Sequence, residues 1–310
     1  MLIDLLLIYL FMLIFVLVGV GFFTLLERKM LGYINNRKGP NKVGIIGLGQ
    51  PISDGLKLFT KEYLFPYLSI YGLFFISPLL IFLLTLVMWL CMPLLNHFLD
   101  FKFGLLYFLC LTSLSVYALI FSGWSSNSKY SIYGAYRGVA QTISYEVSLA
   151  LIMLSFVYLL GSYDLEDFSI NQCYSWMFFF MIPLSLMWFV SMLAETNRTP
   201  FDFTEGESEL VSGFNIEYSS FFFAVIFIGE YASILFMSNL FSILFLGGWS
   251  NFYMVKVMLM VLIFILVRGT LPRFRYDNLM YLAWKVYLPM VINFLVFYIL
   301  LKLFIMTFIL

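Results

Sequence analysis

The carboxylates that could do chemistry in this chain fall into two groups. Glu146, in SYEVSLAL, and Glu230, in IGEYAS, each interrupt a long apolar run. Glu146 lies about two turns into its run, and Glu230 about twelve residues into its own, which at about 1.5 Å per residue is near mid-bilayer. A charge at such depth costs on the order of 3 kcal/mol, so a functional role is the default reading. The competing reading is a neutral, hydrogen-bonded acid that only fixes helix packing. Tyr145, Tyr231 and Ser233 are placed to solvate the two acids. No lysine or arginine occupies the middle third of any apolar run, so the counter-charge is expected from water or another subunit.

The second group is the segment ETNRTPFDFTEGESELVSGFNIE. It carries Glu195, Asp202, Glu205, Glu207, Glu209 and Glu217 against one base, Arg198. A helix after Pro200 would set Asp202, Glu205 and Glu209 at i, i+3 and i+7, on one side. Like charges held that close near low dielectric cannot all ionise cheaply, so some of these carboxyls should keep protons toward neutral pH. A proton relay needs that behaviour. The same content also fits a solvated acidic loop or a docking patch for a basic partner.

Basic side chains form a third set. Glu27-Arg28-Lys29 and Arg37-Lys38-Gly39-Pro40-Asn41 follow the first apolar run, and Arg268, Arg273, Phe274, Arg275 and Tyr276 follow the seventh. Bases interleaved with aromatics beside a membrane can hold an anionic lipid, a polar quinone head or an acidic protein surface, or can serve only as topological anchors.

The elements that must position these groups follow from composition. With 63% hydrophobic residues, 11% charged and a mean hydropathy of +0.99, the chain carries more apolar surface than a soluble fold could bury. Eight apolar runs are long enough to cross a bilayer, at about 2–26, 69–95, 103–123, 139–160, 176–193, 218–246, 252–271 and 286–309. The expected fold is therefore all-α and polytopic, a single transmembrane domain over 1–310. Fourteen of the seventeen Lys and Arg fall in the loops of one face, and only Lys102, Lys256 and Lys302 lie elsewhere. That face is the cytoplasmic or matrix side, and an even count of spans puts both termini on the other. Gln50 to about residue 64 is too polar to cross: Ile52, Leu56, Phe59 and Tyr63 share one stripe, Asp54, Lys57 and Lys61 another, and Pro51 suits a first turn. It is expected to lie in the interface as an amphipathic helix.

Several function classes drop out. Basic and acidic residues number seventeen each, so net charge gives no reason to expect a nucleic-acid partner. Cys91, Cys110 and Cys173 are far apart and His97 is the only histidine, too few ligands for iron–sulfur, haem or zinc sites. His97 is expected to be structural. Gly44 to Gly49 has the wrong spacing for a dinucleotide fingerprint, and no P-loop occurs. Asn197-Arg-Thr precedes Pro200 on the inner face, which argues against glycosylation. The first run is too long for a cleavable signal. Thirty-seven Phe point to an A/T-rich coding genome.

Five strings carry a family resemblance: LLERKMLGYINNRKGPNKVG (25–44), QPISDGLKLFTKE (50–62), SYEVSLAL (144–151), LAETNRTPFDFTEGESELVSGFNIEY (193–218) and VRGTLPRFRYDNLMYLAWK (267–285). Together they resemble the quinone-chamber membrane subunits of respiratory complex I, the chain 1 family of NADH:ubiquinone oxidoreductase. Length and Phe content resemble the mitochondrially encoded, insect form. The resemblance implies an eight-helix subunit of the mitochondrial inner membrane, termini on the intermembrane-space side, joining the membrane and peripheral arms of the complex. Ubiquinone would be its substrate, admitted from the bilayer among span 1, the interfacial helix and span 6. Tunnel residues would correspond to Arg28, Arg37, Asp54, Lys57, Phe223, Arg273 and Arg275. Glu146, Glu195, Asp202, Glu205, Glu207, Glu209 and Glu230 would link the quinone site to proton pumping. Partners would be the core subunits of both arms and the bilayer, including anionic lipid such as cardiolipin. Metal, flavin and nicotinamide would sit in neighbouring subunits.

Two other classes compete. A stand-alone proton or cation antiporter using Glu146 and Glu230 should show two similar halves with paired broken helices, and none is visible. A structural anchor for a peripheral oxidoreductase should tolerate neutral substitution of its buried acids. Cytochrome b is excluded because it needs paired histidines.

Overall fold

The computed structural model describes residues 2–93, 101–173, 175–248 and 252–309, without the side chains of residues 2–6, 207, 208 and 309. His97 and the end of the second predicted span lie outside the described residues. No strand occurs among those described. Among the described residues, seven helices are long and apolar enough to cross a membrane: α1 (Leu2–Ile34), α3 (Tyr71–Met88), α4 (Gly104–Ser125), α5 (Lys129–Leu160), α10 (Ser220–Phe245), α11 (Tyr253–Thr270) and the last, made of α12 (Tyr276–Tyr281), a π-helical turn (Leu282–Tyr287) and α13 (Leu288–Ile309). Between α1 and α3 lies α2 (Gln50–Thr60). After α5 come α6 (Leu165–Asn171), α7 (Met177–Phe180) and α8 (Ile182–Glu195), and α9 (Glu207–Leu210) precedes α10.

The predicted fifth span breaks at Met181, and only its second part, α8, is a sizeable apolar helix. Pro183 explains the restart, because a residue without an N–H is tolerated in a first helical turn. In the last helix the π turn ends two residues before Pro289 and contains Lys285, whose carbonyl the proline ring would meet in an α-helix. The wider turn relieves that clash without a break.

Two helices run further toward the charged side than the apolar pattern indicates. At about 1.5 Å per residue α1 is about 50 Å long, against a bilayer core of about 30 Å, so it carries Glu27 and Arg28 as helical residues beyond residue 26. Helix α5 begins at Lys129, ten residues before the predicted span, and Glu146 is therefore about midway along it. The interfacial helix ends at Thr60, where Lys61 turns to extended backbone, so Lys61 and Tyr63 lie beyond it. Ile52 and Leu56 of its stripe are exposed, while Pro51, Asp54, Leu58 and one side of Phe59 turn toward α1 and α10.

The acidic segment 196–219 does not form the helix expected after Pro200. Gly206, Val211 and Gly213 all have non-helical backbone, and α9 is a single turn. The i, i+3, i+7 face therefore does not exist. The segment is instead folded against α5, where Gly134 and Gly138 leave room for it. A Cβ on Gly134 would lie 3.0 Å from the Thr204 carbonyl, and one on Gly138 would collide with Thr204 Cγ2. Gln141, one turn on, donates from Nε2 to the carbonyls of Ala194 and Phe201, both at 2.8 Å, tying the end of α8 to the loop. Phe274 N–H donates to the Pro200 carbonyl (3.1 Å), and Phe274 stacks on Phe201.

This packing predicts that Gly138→Ala destabilises the purified protein by about 1–3 kcal/mol, the range for overpacked sites. Thr204→Ser, which removes the clashing methyl, should restore most of the loss in thermal unfolding. A double variant as unstable as Gly138→Ala would contradict the contact.

Candidate functional site

Helices α1, α2 and α10 enclose a cavity of about 340 Å³. Its walls are Leu17, Val20, Leu58, Phe59, Phe223, Phe227 and Ile228, with Gly21 and Gly55 giving width. At the charged end Arg28 Nη1 meets Asp54 Oδ2 at 2.5 Å, and Gln50 Nε2 donates to Asp54 Oδ1 at 2.9 Å. An apolar shaft with a paired charge at one end suits a ligand with an apolar tail and a polar head.

Of the seven tunnel candidates, Arg28, Asp54 and Phe223 line this cavity. Arg37 lines an adjoining depression of about 330 Å³ that shares Arg28 and includes Lys38. Lys57 is on α2 but lines neither. Arg273 sits away from both, with Nη2 3.3 Å from Asp202 Oδ2. Arg275 is largely exposed and pairs with Asp277 at 3.0 Å.

Tyr231 closes the cavity on its inner side. Its hydroxyl donates to Glu27 Oε2 (2.7 Å), and Glu27 is ion-paired with Arg268. Across the Tyr231 ring lies the Arg198 guanidinium, 4.5 Å from the centroid, a cation–π arrangement. Arg198 Nη2 is in turn 3.4 Å from Glu230 Oε2, with the side chains only 9% and 19% exposed. Glu230 thus has a counter-charge within this chain. The reading that water or another subunit must supply it is corrected: Arg198 belongs to a loop, but the loop folds inward to reach α10.

The remaining acids divide. Glu205 N–H donates to Asp202 Oδ1 (3.3 Å), and Asn215 Nδ2 donates to Glu205 Oε1 (2.7 Å), so these two carboxylates share one site beside Arg198. Glu209 points away and pairs with Arg137 of α5. The side chain of Glu207 lies outside the described residues. Glu195 and Glu230 both line a hollow of about 70 Å³ between α3, α4 and α10, with the hydroxyls of Thr85, Thr112, Ser115 and Ser233. Glu195 Oε2 is buried without a hydrogen-bond partner, and the charge of Glu146 acts on it. Among the described residues no ion pair holds Glu195 or Glu146, nor do three His, Cys, Asp or Glu converge as a metal site.

Outside the membrane spans, the proton affinities follow from burial and neighbours. Burial raises Asp202, more than Arg273 and Arg198 pull it down. Burial also raises Glu205, helped by the charge of Asp202 and opposed by Arg198 and the Asn215 amide. Burial works against the Arg198 charge, but Glu230, Tyr231 and Glu27 together hold its pKa above the ordinary value.

Glu27, Arg268 and Asn215 were not legible as members of this site. Glu27 reads as part of a charged triplet ending an apolar run. The available signal is its spacing four residues after Phe23, on the helical face that meets Tyr231, with Phe23 and Tyr231 ring centroids 5.3 Å apart.

Fold and site together define a polytopic helical membrane protein with an apolar cavity backed by a buried array of paired acids and bases. Residues 7–299 match the family described as NADH dehydrogenase. The NADH-ubiquinone oxidoreductase chain 1 of Aedes aegypti is 58% identical over 294 residues, covering 94% of each chain. That of Anopheles gambiae is 59% identical over 291 residues, 93% of each, and that of the marsupial Osphranter rufus 49% over 284, 89% of each. The chain belongs to this family, as the motif resemblance indicated.

The electrostatics predict the effect of Arg273→Gln. Without its nearest cation, Asp202 should hold its proton to higher pH, so the infrared band of protonated carboxyl should persist to more alkaline pH than in the unmodified protein. Titration at unchanged pH would contradict the Asp202–Arg273 coupling.

Proposed function

We propose that this chain is the core membrane subunit of respiratory complex I that forms the ubiquinone tunnel and passes the effect of quinone reduction to proton translocation through linked carboxylates. It works in the mitochondrial inner membrane with both termini toward the intermembrane space, among the core subunits of the peripheral and membrane arms. The names and identities of the relatives support the substrate and the assembly. NADH, flavin and iron–sulfur chemistry belong to neighbouring subunits, and no complete active site lies in this chain.

The observation that carries the reading is Tyr231. One side of it is cavity wall, and the other contacts Glu27 through its hydroxyl and Arg198 through its ring. Quinone reduction takes two electrons and two protons to give the quinol. A proton or charge change in the cavity therefore acts through Tyr231 on Glu27 and Arg198, and through Arg198 on Glu230, Asp202 and Glu205. Carboxylates coupled this closely titrate as a group, so a proton gained at one is redistributed to the others. The hydroxyl-lined hollow joins Glu230 to Glu195, whose neighbour is Glu146. Arg28 and Asp54 at the mouth orient the polar head, and the apolar shaft holds the tail.

A stand-alone antiporter would place both buried acids on one ion path, but here Glu230 is tied to a loop arginine whose guanidinium lies on Tyr231, a wall of the ligand cavity. A structural anchor would tolerate neutral acids. In the assembled complex, Glu230→Gln and Glu195→Gln should each lower quinone-coupled proton translocation about tenfold or more, with subunit composition unchanged. Full translocation in an assembled Glu230→Gln complex would overturn the relay.

A further inference from the structure

We infer that Asn215 is a positioning residue for Glu205, held in place by Tyr218, and that it sets the pH at which this carboxylate exchanges its proton. The inference rests on reading Glu205 as a relay carboxylate.

Asn215 is 4% exposed and ends a 3₁₀ turn, Gly213–Asn215. The turn is pressed onto the acidic loop so closely that a Cβ on Gly213, at φ +55, would collide with the Thr204 carbonyl. From there Nδ2 donates to Glu205 Oε1 at 2.7 Å. The amide oxygen Oδ1 is buried and has no partner, so nothing else in the structure accounts for an amide at this position. A donor to a carboxylate oxygen favours the ionised form, and Asn215 opposes the effect of burial on Glu205.

What holds Asn215 is reached through Tyr218, whose N–H donates to the Asn215 carbonyl at 3.2 Å. The Tyr218 ring stacks on Phe74 of α3 with centroids 4.3 Å apart. Its hydroxyl is within hydrogen-bond distance of Ser77 of α3 (2.9 Å) and Ser125 of α4 (3.2 Å), and reaches the Ser122 carbonyl (3.3 Å). Two membrane helices thus fix one side chain, and that side chain fixes the turn carrying the donor. Other charges face Glu205 as well. Asp202 and Arg198 come from its own loop, Glu230 from α10 and Arg268 from α11. Arg273, after α11, reaches within 3.8 Å of a Cβ placed on Gly206, while Arg137 of α5 is engaged by Glu209. Asn215 is the neutral member of this ring, so its removal changes the proton affinity of Glu205 without adding or deleting a charge.

The test uses the assembled complex and reads the pH profile of quinone-coupled proton translocation. Asn215→Leu should move the limb set by Glu205 alkaline by about one pH unit, the size of one lost hydrogen bond to a charged group. Asn215→Asp, of the same shape, should move it further by placing a second carboxylate against the first. Tyr218→Phe should move it the same way by less, and it serves as the deciding variant if the Asn215 changes block assembly. Profiles superimposable on the unmodified complex, in any assembled variant of Asn215 or in Tyr218→Phe when it decides, overturn the inference. Glu205→Gln separates the two levels. Intact translocation in that variant removes the relay role of Glu205 itself. Lost translocation together with unshifted Asn215 profiles removes only the positioning role.

Discussion

An acid near mid-membrane must be paid for, and the pairing of Glu230 with Arg198 is how this chain does it. Arg198 can reach α10 only because the loop that carries it is folded inward, against the glycines of α5 and under Gln141. That inward fold also brings Asp202 and Glu205 beside the same arginine and lays its guanidinium on Tyr231. One buried ion pair therefore fixes where the acidic segment lies and which cavity it adjoins. Neutralising Arg198 would leave Glu230 as a buried charge without its partner, a far larger cost than losing an exposed pair, whereas Arg198 without Glu230 still faces Glu27, Glu205 and the Tyr231 ring.

The geometry also explains why Tyr231 lies at the boundary. A tyrosine offers an apolar body to a lipid-like ligand and a hydroxyl to a carboxylate. Here the ring forms cavity wall, the hydroxyl bonds Glu27, and the face receives Arg198. Tyr218 plays the corresponding part at the other end of the loop, where it ties the turn bearing Asn215 to α3 and α4. The acidic loop is thus pinned at both ends by phenols rather than by a helix of its own.

Much of this architecture was legible in the residues. Apolar run lengths located the long helices, and the one-sided distribution of Lys and Arg supported their count. Glu146 and Glu230 stood out because acids interrupt apolar runs there. What local pattern could not show was tertiary. The i, i+3, i+7 spacing of Asp202, Glu205 and Glu209 suggested a helix that Gly206 and Gly213 prevent. The long reach of α5 toward the charged side depends on Gly134 and Gly138 meeting a loop about seventy residues later. Arg198 looked like a lone loop base, and Glu27 like an anchor, because their partners lie on helices distant in sequence. Periodicity reports which face of an element is apolar, not which distant segment will fold onto it.

In the proposed mechanism Tyr231 transmits events in the cavity to the buried carboxylates. The most direct measurement is the number of protons translocated per quinone reduced in the assembled complex carrying Tyr231→Phe, which keeps the ring and removes only the hydroxyl that bonds Glu27. Quinone should still bind and be reduced in this variant, while the ratio of protons to electrons falls. A ratio equal to that of the unmodified complex, at every pH tested, would contradict that mechanism.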